Sequence, residues 1–374
     1  MKGHLTRRGQ RSWRLKFDLA AGNGQRKTRY VTLHGTRKEA QAQAAKILFS
    51  VATGLHVDPS TETVAQFIER WLRDWADANV SNKTFASYAG WLRNHVAARV
   101  GAIPIQKLQA AHLQSVYAAM AKDGLSDRSR LHVHRAVTTM LKHAVQWGVV
   151  SRNIANMADA PRVRSREIEI LPQAQVQRVL ESLRGKPLYP IAVLALATGL
   201  RRGELLALRG QDVDLDAGHL RVEQALEETQ RGGLVFKAPK TRHGRRTVTL
   251  PPSTVAVLRE HRKAQQEQRL ALGLAKAPPD ALVFAHWDGS PISPDVLTHQ
   301  WANAMKKLGL KATWHSLRHY HASALIASNM DVLTISRRLG HGSSALTLNV
   351  YGHLFKPDDR AAAVMEAALK GKSE

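Results

Sequence analysis

The sequence predicts a multidomain chain. A small β-sheet-plus-helix unit comes first, then an all-α helical bundle, then a larger mixed α+β domain that is mainly α. Three observations carry this reading. At 374 residues the chain is too long for one typical core. Its apolar periodicity alternates near the N-terminus, turns helical after about residue 60 and becomes mixed beyond about residue 167. A basic stretch, Ala160-Pro161-Arg162-Val163-Arg164-Ser165-Arg166, reads as a linker between the second and third parts. The expected domains are 1–57, 58–160 and 161–374.

Residues 1–57 hold 12 Lys/Arg against two acids, Asp18 and Glu39. Trp13 to Leu19 alternates apolar and polar, the pattern of a half-buried strand. Ala21-Gly22-Asn23-Gly24 is turn chemistry, and Arg26 to Leu33 reads as a second strand. Thr36 and Glu39 have capping-box spacing and open an alanine-rich helix ending near Gly54. With the helix on one face, the other face of the sheet reads as almost purely cationic. Arg14, Lys16, Arg26, Lys27 and Arg29 are its candidate DNA contacts. A solvated charged face is the plainer alternative.

Four helices are expected next. Val64, Phe67, Ile68, Trp71, Leu72 and Trp75 keep helical spacing, and Ser81 caps a second helix. A third runs from Ala110 to Lys122, and a fourth from Ser126 to about Trp147. Nothing in this part looks catalytic. His132 and His134 are two apart and do not share a helix face, so they are weak metal candidates. Lys83 in the bundle and Arg164 in the linker complete the basic positions expected on DNA.

In the last part, helical patterns near 173–185 and 189–209 precede a strand-like 219–225. Leu234-Val235-Phe236 and Thr247-Val248-Thr249-Leu250 flank a basic hairpin tip. Helices follow at 252–272, 293–307 and beyond 315.

Charge narrows the partner. The chain has 55 Lys and Arg against 30 Asp and Glu, a net +25. Such a field favours a polyanion, nucleic acid first. A membrane surface would need an amphipathic anchor or a lipidation motif, and the sequence shows neither. No stretch approaches the ~20 apolar residues of a membrane span. MKGHLTRRGQRSW has no apolar run of signal-peptide type. With zero cysteines, disulfides, thiolate metal sites and cysteine nucleophiles are excluded. A cytoplasmic protein is expected, nucleoid-associated when on DNA.

Four pieces of the last domain carry chemistry. The first is TGLRRGELLALR, residues 198–209, where an Arg201–Glu204 pair at i,i+3 follows a long apolar run. Spacing does not choose between Arg201 and Arg202. The second is KAPKTRHGRR, residues 237–246, a basic turn between strands. The third is WHSLRHYH, residues 314–321. At 100° per residue His315, Arg318 and His319 share a helical face, while Leu317 and Tyr320 take the other. A metal at His315 and His319 would lack a carboxylate ligand and would face Arg318. The fourth is LGHGSSALTLNVYGHL, residues 339–354, with His341 and Tyr351.

These residue types suit phosphoryl transfer. Two arginines can clamp the non-bridging oxygens, a lysine can protonate a leaving oxygen, and imidazoles can hydrogen-bond phosphate or move protons. A tyrosine can attack and store the phosphodiester as a phosphotyrosine. No Mg²⁺ carboxylate cluster and no G-x-x-x-x-G-K-[ST] loop is apparent, so no cofactor, ATP or metal is expected.

The four pieces resemble the tyrosine recombinase family, in its phage-type integrases, and the likeness spans most of the chain. ATGLRRGELLALR resembles the first arginine box, which implies Arg201 as a phosphate clamp and Glu204 as its support. KAPKTRHGRRTVTL resembles the β-hairpin bearing a catalytic lysine, here Lys240. WHSLRHYHAS resembles the H-x-x-R box, giving His315 and Arg318. The final box gives His341 and the nucleophile Tyr351. Gly210 departs from the aromatic that often follows the first box, and Tyr320 is an extra tyrosine.

The resemblance implies a three-stranded arm-type DNA-binding domain, a helical core-binding domain and a catalytic domain. It implies a homo-tetramer joining two double-stranded attachment sites, core-type and arm-type, with an excisionase and a host DNA-bending protein as possible partners. The tail helix Arg360 to Leu369 would dock on a neighbouring subunit, folding back on its own core being the alternative. The function implied is site-specific integration, and excision, of a prophage or other mobile element. Rivals are a Xer-like dimer-resolution recombinase, a type IB topoisomerase and a non-catalytic DNA-binding protein. The basic N-terminal unit argues against the first two, and the intact boxes against the third.

Overall fold

The structure, a computed structural model, describes residues 3–20, 26–53, 56–164, 168–229, 231–239, 242–355 and 360–370. The chain forms two compact units, Met1–Arg164 and Ser165–Glu374.

The first unit opens with an antiparallel meander of β1 (His4–Arg7), β2 (Ser12–Ala20) and β3 (Arg26–His34). The alternation of β2 turns Leu15 and Phe17 inward, where they pack with Leu33, Ala40 and Ala44. The helix α1 (Arg37–Ala52) covers that face. Thr36 caps it in the expected box: the Thr36 amide donates to Glu39 Oε2 at 2.7 Å, and the Glu39 amide to Thr36 Oγ1 at 3.4 Å.

The register corrects the expected cationic face. Residues directly opposite on antiparallel strands share a face. Arg29 pairs opposite Phe17, which puts it on the helix side, and its guanidinium meets Asp58 at 2.6 Å. The open face carries Arg14, Lys16 and Tyr30, with the Arg14 guanidinium 5.8 Å over the Tyr30 ring. Asp18 and Thr28 share it, hydrogen-bonded at 2.7 Å, so that face is mixed rather than purely basic. The side chains of Arg26 and Lys27 lie outside the described residues.

The helical bundle follows. α2 (Val64–Trp71) and α3 (Asn82–Trp91) each continue through a π-turn, Leu72–Ala76 and Leu92–Ala97. α4 (Ala110–Lys122) and α5 (Asp127–Gln146) complete it. Thr63, Ser81 and Ser126 cap three of these helices. Phe67, Trp71, Leu92, Leu113, Val137 and Met140 meet in one core. His132 stacks on Trp91 and His134 hydrogen-bonds Tyr117, so both are tied into the packing. Lys83 and Arg164 are exposed.

The second unit departs from the sequence reading at two places. The pattern at 189–209 is two helices, α7 (Leu188–Thr198) and α8 (Arg202–Leu206), preceded by α6 (Gln173–Leu183). The break is Gly199, at φ +63°. The strand-like 219–225 is also split. β4 (Val213–Asp214), β5 (His219–Val222) and β8 (Arg246–Thr249) make one sheet, and β6 (Ala225–Thr229) pairs with β7 (Gly233–Lys237) in another. β7 and β8 are therefore not partners, and the basic stretch between them links two sheets instead of capping a hairpin. Lys240 itself lies outside the described residues.

α9 (Pro252–Ala271), α10 (Pro294–Lys307) and α11 (Trp314–Ala327) follow, and then α12 (Val332–Leu339) and α13 (Ser344–Tyr351). The main core joins α7, α8 and β5 with Trp301 and Leu317. A separate small cluster holds Ala322, Ile326, Ile335, Leu339 and Tyr351. The tail forms α14 (Arg360–Leu369), and Val364, Met365 and Leu369 on it are exposed, which argues against folding back on its own core.

Candidate active site

Two corners and one helix of the second unit converge: the α7–α8 break, the α12–α13 corner, and α11. Each corner is shaped by a local necessity. Gly199 ends α7 in the left-handed region, where a Cβ would lie 2.6 Å from His321 Cδ2. Gly340 ends α12 at φ +66°, where a Cβ would lie 2.7 Å from an Arg246 guanidinium nitrogen. The carbonyls of these corners then receive the arginines. Arg318 donates to Gly199 O at 2.6 Å and to Leu339 O at 2.8 Å. Arg201 donates to Gly340 O at 3.0 Å.

Glu204 ties the cluster together. Its carboxylate accepts from Arg201 Nη1 at 2.8 Å, from the Arg201 amide at 2.8 Å and from Arg246 Nη2 at 2.9 Å. Arg246 also donates through Nε to Arg338 O at 2.7 Å. Burial raises the Glu204 carboxyl, but the hydrogen bond and charge of Arg246, then Arg201, outweigh it and hold the group below its usual value. The neighbouring Arg202 points elsewhere, donating to Pro294 O at 2.7 Å and to the Thr298 hydroxyl. Arg201 keeps 43% of its side chain exposed, open to a ligand.

On α11, His315 is exposed and Arg318 buried on the same face. Burial, and then the charge of Arg201, lower Arg318 to about 9, so it stays cationic at neutral pH. His315 is held below its ordinary value, by surrounding protein first and then by Arg318 and Arg201. His341 is buried, with Nδ1 2.8 Å from Thr347 Oγ1. Burial and the charges of Arg318, Arg201 and Arg246 push it down to about 4.

Tyr351 is 1% exposed. Its hydroxyl lies 2.7 Å from His319 Nδ1, and burial pushes it up to about 12 against the pull of Arg318. Tyr320, by contrast, packs against the main core.

The structure thus brings together Arg201, Glu204, His315, Arg318, His341 and Tyr351. Two residues that sequence reasoning left without a role touch the same cluster. His319 shares the helical face of His315 and Arg318, a signal that was legible but silent on contact. Arg246 had no signal, being one of several basic residues in a row. Among the described residues, no group of three or more His, Asp or Glu could hold a metal ion, and no helix is long and apolar enough to cross a membrane.

Comparison with known proteins identifies the family. The phage integrase family profile matches residues 169–357, and the phage integrase N-terminal SAM-like domain matches residues 63–121. An integrase of Streptomyces ambofaciens is 30% identical over 344 residues, 88% of this chain and 86% of that protein. A "tyrosine recombinase XerC-like" protein of Caldanaerobacter subterraneus subsp. tengcongensis is 26% identical, covering 97% of each chain. Among solved structures, the Tn1549 transposon integrase in complex with a circular intermediate DNA superposes with TM-score 0.69 at 21% identity, over 82% of this chain and 99% of that one. A lambda integrase tetramer bound to a Holliday junction gives 0.59 at 16% identity, over 95% and 96%. The profile over the second unit and the Streptomyces relative establish the identity: this chain belongs to the phage integrase family, the tyrosine recombinases that cut and rejoin DNA at specific sites.

Proposed function

We propose that this recombinase is the integrase of a prophage or related mobile element, acting at attachment sites through a covalent 3′-phosphotyrosine on Tyr351. The observation that carries the reading is a tyrosine hydroxyl held against a cluster of guanidinium and imidazole groups, with the Arg318 charge acting on it. Arg201 and Arg318 clamp the non-bridging oxygens, each guanidinium having five N–H donors. His315 and His341 hydrogen-bond the phosphate, and Glu204 orients Arg201. Lys240 protonates the leaving 5′ oxygen. The reaction needs no metal or nucleotide, because the protein–DNA ester conserves the bond energy until a second hydroxyl attacks. Since Tyr351 is 1% exposed in the free chain, attack requires the α12–α13 corner to admit the phosphate.

Residues 1–57 take the arm-type role, 58–160 grip core-type DNA and 161–374 cut it. Arg14 and Lys16 on the open sheet face, with Lys83 and Arg164, are the backbone contacts this reading retains. A homo-tetramer on two DNA sites is the working assembly, and an excisionase and a DNA-bending protein are the accessory partners of this reading.

The test is a nicked duplex carrying the junction between the element and its host DNA. Tyr351→Phe should bind that duplex and form no covalent adduct on a denaturing gel. An adduct in the Phe variant would sink the nucleophile assignment.

A second reading, Xer-like dimer resolution, is favoured by the XerC-like relative, whose match extends over 97% of the chain. Recombination of the element's own ends favours integration. Resolution of plasmid dimers lacking that junction favours the second reading.

A further inference from the structure

His319 is the histidine in contact with the Tyr351 hydroxyl, at 2.7 Å through Nδ1. His315, the imidazole of the H-x-x-R box, stands behind it. The His315 and His319 rings meet edge to face at 4.6 Å, and the His319 and Tyr351 rings at 5.6 Å. The three rings therefore make successive contacts, from the exposed His315 through His319 to the buried Tyr351. We propose that His319 is a catalytic residue of this recombinase, the proton acceptor for Tyr351 in strand cleavage and its proton donor in rejoining. The proposal rests on Tyr351 being the nucleophile.

The chemistry balances. The Tyr351 O–H bond breaks as its oxygen bonds to phosphorus, and the proton passes to His319 Nδ1. The bond from phosphorus to the 5′ oxygen of the departing strand breaks, and that oxygen takes a proton from the general acid, proposed as Lys240. In rejoining, the 5′ hydroxyl attacks and gives its proton back to that acid, while the departing Tyr351 oxygen recovers its own from His319.

Geometry meets the first condition for a general base, direct hydrogen-bond reach of the proton it removes. The second condition is an unprotonated ring nitrogen, its lone pair free to accept, at neutral pH. The charged and titratable groups facing His319 are His315 and Arg318 from its own helix and Tyr351 from α13. Burial first, then His315 and Arg318, lower His319 to about 4, so its ring is neutral and can accept. An incoming phosphodiester adds negative charge beside it and makes it a stronger base.

Single-turnover cleavage of the nicked junction duplex tests this in the full-length protein. His319→Ala should slow cleavage by about 10²-fold or more while leaving duplex binding intact. Added imidazole should restore part of the rate, which a purely structural loss would not allow. His319→Gln keeps an acceptor for the hydroxyl but cannot take a proton, so it should be equally slow even if the Ala variant folds poorly. A 5′-bridging phosphorothiolate, whose leaving group needs no acid, should not rescue either variant. Wild-type rates in both variants, or rescue by the phosphorothiolate, would overturn the proposal. Failure of the underlying reading looks different: Tyr351→Phe would still form the adduct.

Discussion

Glu204 is held at 5% side-chain exposure between Arg201 and Arg246, the latter at 6%. Removing its charge leaves Arg246 buried without a counter-ion, a change that costs about 3 kcal/mol or more. Glu204→Gln should therefore lower the melting temperature by several degrees and also slow cleavage, because Arg201 loses its anchor. An unchanged melting temperature would contradict this. The carboxyl is depressed below its ordinary 4.5, so its contribution is complete above that pH and is lost as pH falls through the lower folded value. The Gln variant should lose that part of the acid sensitivity. The sequence displayed the Arg201–Glu204 spacing but not its weight, since i,i+3 pairs are mostly exposed and weak. What raises this one is burial beside Arg246, which lies 42 residues away in the chain.

At the scale of elements, the two corners that receive the arginines are glycines for different neighbours. Gly340→Ala would force a left-handed residue and push against Arg246, which is itself fixed to Glu204 and Arg338 O. The expected cost is about 1–2 kcal/mol, with a larger fall in cleavage because the Gly340 carbonyl positions Arg201. Thermal melts and single-turnover rates on the same variant separate the two effects. Equal losses in both would mean the corner is structural only. Thr36→Ala, far from the site, should cost α1 about 1 kcal/mol and leave cleavage of a core duplex unchanged. Caps such as Thr36, Ser81 and Ser126 were legible because their hydrogen bonds span three residues. The pairing of β7 with β6 was not, because strand partners are chosen by distant packing, and the basic stretch between β7 and β8 looks the same in a hairpin or a crossover.

Across the whole molecule, His319, His321 and His341 are each pushed down to about 4 by burial first, with help from neighbouring positive charges. The unfolded chain takes up these protons below about 6.5, while the folded chain excludes them until about 4. Stability should fall as pH drops across that window, measured as melting temperature against pH. A flat profile between those limits would show the histidines to be more accessible than the structure places them. The net charge of +25 predicts duplex affinity that falls steeply with salt. A chain beginning at residue 58 should show a shallower salt slope and lose arm-type binding, yet still form the adduct on a core duplex. Loss of the adduct in that truncation would contradict the proposed division of roles.

The sequence by itself determined the three-part layout, the polyanion partner and the four boxes, because composition, periodicity and motif spacing are local properties of the chain. It also separated Tyr320 from the face of His315 and Arg318, since 100° per residue fixes faces within one helix. Only the tertiary structure decided which side of the sheet Arg29 takes, that Arg246 shares Glu204 with Arg201, and that His319 rather than His315 touches Tyr351. Those three facts depend on strand register and on which helix corners meet. Register and corner packing are set by contacts between residues far apart in the chain, and no short-range pattern records them.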